Sequence, residues 1–321
     1  MTTPTEFLVE PYPGLPLTVR DVGAGRPVLV LHGGGGPASV SGVVDHFAAT
    51  SRVLAPTHPG WEDTPRPEWF SDVGDLVETY LDLLDDRDLR DVLVLGSSFG
   101  GWIAAEMAVR DRGRRIGGLV IMGAFGPRLE GHEVRFPTAP PGPPPGEGSG
   151  PAQGPGTGYG PGTAQGTGPA QGSRTAQGPG TAQETGTAQG PGTAEGPERA
   201  QEPERAQGPE HAQGPGAGKG SEAPVSRRGP SPAALQALAA YAGPTKSDPK
   251  LLHRLARVTV PALAVWGEND TVVPPDYGRA YAAAIPGARF ALIPGAGHLP
   301  TREAPEATFA VIDAFVAATG R

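Results

Sequence analysis

The sequence contains no cysteine among its 321 residues. Disulfide bonds, thiolate metal sites and a cysteine nucleophile are therefore excluded, and the composition is compatible with a reducing compartment. The first residues lack the basic and apolar regions of a secretory signal. No apolar run approaches the roughly 20 residues that a membrane span needs. We therefore expect a cytoplasmic protein without a membrane span.

Positive charge is also scarce. Lys and Arg total 26 against 34 Asp and Glu, which gives a formal net charge of −8 at pH 7. Neither residues 137–224 nor the rest of the chain carries the basic patch that is typical of proteins that bind nucleic acid. We therefore expect a small-molecule ligand and no nucleic-acid partner.

Large apolar side chains are nearly absent from residues 137–224, where Tyr159 is the single example. This segment holds 23 of the 50 Gly and 17 of the 39 Pro, and an alanine recurs every sixth residue from Ala164 to Ala212. A hexapeptide period is also typical of a β-helix, but that fold stacks an aliphatic residue from each turn into a core. Without such residues, too little apolar surface is buried to offset the ordering entropy. We predict that 137–224 is a disordered insertion, and an inert repeat rather than a segment that binds a partner.

The flanking ranges 1–136 and 225–321 are predicted to form one domain. Short runs of Val, Leu and Ile alternate with helical patterns in both ranges, which is typical of a mostly parallel, doubly wound α/β sheet with helices on both faces. A hairpin is predicted within the first 22 residues. The further predicted strands are 27–33, 52–60, 91–96, 117–125, 260–270 and 288–297, and the predicted helices are 75–86, 99–111, 275–287 and 304–319.

Ser98 lies at the centre of the sequence GSSFG, which matches the pattern G-x-S-x-G. The bare pattern is weak evidence in a chain that is rich in glycine. Its position is more specific, because it follows a predicted strand and opens a predicted helix. A nucleophilic serine is held on such a turn, and the flanking glycines avoid collisions where strand and helix crowd together. We interpret Ser98 as a nucleophile.

A second glycine run, HGGGG at 32–36, follows the predicted strand PVLVL. Free backbone N–H groups in such a loop stabilise a developing oxyanion. We predict the N–H groups of Gly34 and Phe99 as the donors, and His32 as a brace for its own loop. Phosphate binding is the weaker alternative, because no Lys-Ser or Lys-Thr pair follows and the dinucleotide-binding spacing is not met.

A serine nucleophile needs a base, and the base needs an acid that orients it. Among seven histidines, His298 follows the last predicted strand in a loop of small residues, where open α/β sheets place their sites. His58 fits a structural or pocket-lining role better than the role of base. Asp270, the last residue of the predicted strand 260–270, is the predicted acid, with Glu268 as the alternative.

The order Ser98, Asp270, His298 resembles the order in the α/β-hydrolase fold superfamily. The resemblance is carried by HGGGG, GSSFGG, WGENDTVVPP and GAGHLP, and it covers nearly all of 1–136 and 245–321. It implies a serine nucleophile at Ser98 with His298 as base and Asp270 as its partner. It also implies oxyanion donors at Gly34 and Phe99, as assigned above, and neither a metal nor a cofactor.

Members of this superfamily usually carry a helical cap between the strands that correspond to 117–125 and 260–266. Here the insertion takes most of that place, and 225–257 are predicted to form the residual cap helices. Trp61, Phe125 and Leu299, together with Phe99, are candidates for the pocket lining. This mostly apolar set suggests a small or medium hydrophobic acyl substrate.

The predicted function is hydrolysis of a carboxylic ester or related acyl bond, in class EC 3.1, through an acyl-enzyme on Ser98. Haloalkane dehalogenases and most epoxide hydrolases of this fold use an Asp nucleophile instead. Carbon–carbon bond hydrolases are an alternative, although they commonly have Trp after the catalytic His, where this chain has Leu299. A non-catalytic binding protein is the second alternative. The sequence leaves the natural substrate and the oligomeric state open.

Overall fold

The computed structural model describes residues 5–136 and 230–319. The predicted disordered insertion at 137–224 and the first five residues of the predicted residual cap, 225–229, lie outside the described residues. Within the two described ranges, no helix is both long enough and apolar enough to cross a membrane.

An eight-stranded sheet forms the centre of the fold, in the order β1-β2-β4-β3-β5-β6-β7-β8. The β1–β2 and β2–β4 pairs are antiparallel, and all other neighbouring pairs are parallel. The strands are β1 (Thr5–Tyr12), β2 (Leu15–Gly23), β3 (Pro27–Leu31), β4 (Arg52–Pro56), β5 (Val92–Ser97), β6 (Ile116–Met122), β7 (Ala262–Gly267) and β8 (Arg289–Ile293).

Eight α-helices occur in the described part of the chain. Two of them, α4 and α5, lie in the predicted residual cap, and the preceding range 125–136 contains no helix. The helices are α1 (Ser41–Ala48), α2 (Val73–Asp86), α3 (Phe99–Asp111), α4 (Pro232–Ala242), α5 (Leu251–Arg254), α6 (Pro275–Ala283), α7 (Pro300–Glu303) and α8 (Pro305–Ala318).

The sheet buries apolar side chains on both faces. Because side chains alternate along a strand, Leu29 and Leu31 of β3 enter one core, whose helical residues come mainly from α2, α3, α4 and α6. Val28 and Val30 enter the other core, which contains buried residues of α1 and α8. Strands with two buried faces are expected to read as continuous apolar runs. The predicted mostly parallel, doubly wound α/β fold is confirmed.

The strands β6 and β7 lie on opposite sides of the undescribed range, yet they pair directly. Leu119 is opposite Ala262, and the parallel register continues to Met122 opposite Val265. Both described ranges therefore contribute to one sheet. The domain boundaries and the disorder predicted for 137–224 stay predictions.

Several strands are shorter than predicted. β4 ends at Pro56 rather than at residue 60, and β7 ends at Gly267 rather than at residue 270. The polar residues beyond these ends, including His58 and Asp270, therefore lie in loops at the carboxyl edge of the sheet. The apolar pattern of the sequence does not predict α1, because eight residues give too few turns for a clear helical period.

Candidate active site

Ser98 lies at the sharp turn between β5 and α3. Its backbone has φ 52° and ψ −114°, which a residue with a side chain rarely adopts. A Cβ atom added at Gly96 would lie 2.2 Å from the carbonyl oxygen of Gly100. A Cβ atom added at Gly100 would lie 2.2 Å from the carbonyl oxygen of Leu31. Both flanking glycines are therefore required by steric contact.

Ser98, His298 and Asp270 lie in one hydrogen-bonded chain. The Ser98 Oγ is 3.0 Å from His298 Nε2, and His298 Nδ1 is 2.9 Å from Asp270 Oδ2. Because an ionised carboxylate only accepts hydrogen bonds, Nδ1 carries the proton of a neutral His298. His298 Nε2 is then free to accept the Ser98 proton, which is what a general base must do.

Asp270 is held in place by its own loop. Its side chain is completely buried, and Oδ1 accepts the backbone N–H groups of Val272 and Val273, both at 2.9 Å. Glu268, the alternative acid, instead accepts the N–H of Gly295 at 2.9 Å. The structure thus brings Asp270, and not Glu268, to the histidine.

The loop that carries His298 is braced by Glu303 in α7. One carboxylate oxygen accepts the N–H of Gly297 at 2.6 Å, and the other accepts the N–H of Leu299 at 3.0 Å. The two backbone groups on either side of His298 are therefore held by a single side chain. Glu303 is not evident from the sequence, because nothing in the local pattern separates it from a surface carboxylate.

Two buried histidines form hydrogen bonds within the glycine-rich loop after β3: His32, its first residue, and His58. Burial lowers the pKa of His32 to about 4. Burial and the neighbouring His32 hold the pKa of His58 well below its ordinary value. Both rings are therefore neutral at pH 7 and act as hydrogen-bonding groups. This agrees with the interpretation of His32 as a brace and His58 as a structural residue.

The predicted pocket residues differ in burial, and the Trp61 and Phe125 rings both contact Phe99, the residue after Ser98. Trp61, Phe99 and Phe125 are at most 1% exposed, so they form the closed interior of an aromatic cluster. The Trp61 ring is stacked on the Phe99 ring with centroids 6.0 Å apart. Leu299 is only partly buried, next to His298.

Helix α4 of the residual cap packs directly on Trp61 and Phe99, a contact that the sequence does not indicate. The Tyr241 ring stacks on Trp61 and on Phe99, and its hydroxyl donates to the carbonyl of Pro59 at 3.0 Å. The Cδ2 atom of Leu238 would lie 3.1 Å from a Cβ atom at Gly34. Helix α4 therefore packs against the glycine-rich loop.

Comparison with known proteins gives one family match and several relatives. A model of the alpha/beta hydrolase family matches residues 28–311. A 2-hydroxy-6-oxo-2,4-heptadienoate hydrolase of Pseudomonas putida is 34% identical over 122 residues, which are 36% of this chain and 44% of that protein. The match thus spans less than half the length of this relative.

Solved structures show the same fold at low sequence identity. A serine hydrolase involved in carbazole degradation superposes with a TM-score of 0.62 and 16% identity, covering 98% of this chain and all of the other. A thermophilic esterase from Thermogutta terrifontis has a TM-score of 0.61 and 17% identity, with 99% of each chain covered. At such identities the likeness concerns the fold alone.

Proposed function

The chain belongs to the alpha/beta hydrolase family, and we propose that it hydrolyses a carboxylic ester or related acyl bond through an acyl-enzyme on Ser98. The observation that carries this proposal is the hydrogen-bonded chain from Ser98 through His298 to buried Asp270. The reaction needs neither a metal nor a cofactor. A cytoplasmic location stays a prediction from the sequence.

The proposed reaction has two steps. In the first, the Ser98 hydroxyl attacks the substrate carbonyl while His298 Nε2 removes its proton. Asp270 stabilises the imidazolium that forms, and the proton then passes to the leaving alcohol. In the second step, His298 takes a proton from water as the water attacks the acyl-enzyme, which releases the acid and restores Ser98.

The proposed oxyanion donors are the N–H groups of Gly34 and Phe99. Phe99 is the first residue of α3, where backbone N–H groups have no partner within the helix. The positive end of the helix dipole adds to their attraction for a negative oxygen. Such fixed donors act on charge that develops only in the transition state.

An apolar acyl group fits the surroundings of Ser98. The aromatic cluster of Trp61, Phe99, Phe125 and Tyr241 is buried, and Leu238 of α4 lies over Gly34. Apolar side chains favour the burial of a hydrocarbon chain by roughly 0.8 kcal/mol for each CH₂ group. We therefore propose a small or medium hydrophobic acyl group as the substrate class.

Hydrolysis of a carbon–carbon bond next to a carbonyl is the second candidate. It is favoured by the relative named a 2-hydroxy-6-oxo-2,4-heptadienoate hydrolase. Attack on a carbonyl carbon begins both reactions, so the same nucleophile, base and oxyanion donors serve either one. The substrate of that relative carries a carboxylate, whereas the aromatic side chains packed around Phe99 are apolar. We therefore propose the ester first.

The two candidates are separated by one set of assays on the purified full chain. p-Nitrophenyl esters of increasing acyl length test the first, and 2-hydroxy-6-oxo-2,4-heptadienoate tests the second. Ser98→Ala should abolish turnover, while Ser97→Ala, the matched change at the neighbouring serine, should retain it. A fluorophosphonate probe should label Ser98. Folded protein that neither labels nor turns over any of these substrates would reject a catalytic function and favour a binding protein.

A further inference from the structure

Three successive carbonyl groups of the glycine-rich loop each accept a side-chain N–H. His58 Nε2 lies 2.9 Å from the carbonyl oxygen of His32. His32 Nδ1 lies 2.8 Å from that of Gly33, and Trp61 Nε1 lies 3.0 Å from that of Gly34. The glycines have no side chains of their own to hold the loop, so these contacts supply its fixation.

The hydrogen-bond pattern assigns one tautomer to each histidine. The backbone N–H of His58 donates to His32 Nε2 at 3.0 Å, so the ring proton of His32 is on Nδ1. A carbonyl only accepts, so the proton of His58 is on Nε2 and its Nδ1 accepts the Tyr80 hydroxyl at 2.5 Å. Tyr80 thereby keeps His58 in the form that donates to the loop.

Holding a carbonyl also fixes the next N–H group. A trans peptide is planar, and its C=O and N–H point in opposite directions. The bond from His32 to the Gly33 carbonyl therefore turns the N–H of Gly34 to the opposite side. The bond from Trp61 holds the peptide on the other side of Gly34. Both peptide planes that meet at Gly34 are thus fixed before a substrate binds.

We propose that His32, His58 and Trp61 are positioning residues that hold the Gly34 N–H in its oxyanion-binding orientation. This inference rests on the proposed function, since it concerns the oxyanion donor of that reaction. Trp61 has a double role in this arrangement, because its indole holds the Gly34 carbonyl while its ring stacks on Phe99. It thereby connects the two residues that supply the proposed donors.

The test compares two buried indole N–H groups whose rings both contact Phe99. Trp61→Phe removes an N–H that holds the loop, whereas Trp102→Phe removes a buried N–H that has no hydrogen-bond partner among the described residues. Both side chains are at most 3% exposed, and both rings contact Phe99. Loss of packing therefore affects both variants, and only Trp61→Phe releases the Gly34 carbonyl.

We expect Trp61→Phe to lower kcat about 10-fold with KM nearly unchanged, because removal of a complete oxyanion donor costs about 100-fold or more. A trifluoromethyl ketone, which binds as a tetrahedral adduct, should lose affinity by the same factor as kcat/KM. Trp102→Phe should leave both quantities within about 2-fold of wild type. Equal kinetics in the two variants, or a raised KM with an unchanged kcat for Trp61→Phe, would overturn the proposal.

Hydrogen exchange gives a readout that does not depend on turnover. The Gly36 N–H donates to the Gly33 carbonyl at 3.1 Å within the same loop. The Gly36 N–H should exchange faster in Trp61→Phe than in Trp102→Phe. Equal exchange in the two variants would contradict the proposal that Trp61 holds the glycine-rich loop. If wild type shows no turnover that depends on Ser98, the proposed function fails, and the exchange comparison still decides whether Trp61 holds the loop.

Discussion

The backbone conformation at Ser98 predicts that a glycine variant at this position is more stable than an alanine variant. The positive φ of 52° is unfavourable for a residue with a Cβ atom. The conformation is imposed by the surroundings, since the Ser98 N–H donates to the Met122 carbonyl at 2.8 Å and its carbonyl accepts the Gly101 N–H at 3.0 Å. Glycine adopts such a conformation without the steric cost.

Comparison of Ser98→Gly with Ser98→Ala isolates this strain. Both replacements remove the hydroxyl and its contact with His298, but alanine keeps the Cβ atom. Strain at such a residue costs about 1–3 kcal/mol, and glycine loses about 0.5–1 kcal/mol through the greater freedom of the unfolded chain. We therefore expect Ser98→Gly to be more stable than Ser98→Ala by about 1 kcal/mol, or roughly 2–4 °C in Tm.

Urea unfolding followed by tryptophan fluorescence measures this difference. Ser97 provides the matched control, because it is the last residue of β5 and has no positive φ. There Ser97→Gly should be less stable than Ser97→Ala, so the sign of the effect reverses between neighbouring residues. An alanine variant at residue 98 that is as stable as the glycine variant would refute the strain argument.

Three further predictions concern the pH dependence of stability, the loop that carries His298, and residues 137–224. Burial lowers the pKa of His32 from 6.5 to about 4, so between these pH values the unfolded chain binds a proton that the folded chain excludes. This contribution to the free energy of unfolding, roughly 3 kcal/mol, is fully present above pH 6.5 and is lost as pH falls towards 4. Urea unfolding across this range should show a smaller loss of stability in His32→Gln than in His253→Gln, which changes an exposed histidine. Glu303→Gln retains one acceptor oxygen for two N–H groups and should lower kcat several-fold, whereas steady-state assays of Glu306→Gln should show no change. Replacement of residues 137–224 by a flexible linker should leave the kinetics unchanged, because strands on both sides form the sheet; loss of turnover in a folded variant would contradict the prediction of an inert repeat.

Short-range patterns account for much of the agreement between sequence and structure. The apolar run before Ser98 and the helical pattern after it predict β5 and α3, because burial periodicity is a local property of the chain. Gly96 is predictable for the same reason, since the contacts that exclude a side chain there lie within the turn. At Gly100 the excluding contacts are with Leu31 and His32, so they depend on the packing of β5 beside β3. The helix α1 is not predicted, because it is too short to show a clear helical period. The ends of β4 and β7 are predicted incorrectly, because they depend on packing.

By itself, the sequence determined the order of strands and helices, the position of the serine turn and the identity of the residues that are available for chemistry. Only the tertiary structure decided that His298, 200 residues after Ser98, lies 3.0 Å from it, because this depends on which strands are neighbours in the sheet. The same holds for Trp61. Its apolar character is evident from the sequence, but the partner of its indole N–H is set by how the loops after β3 and β4 pack together.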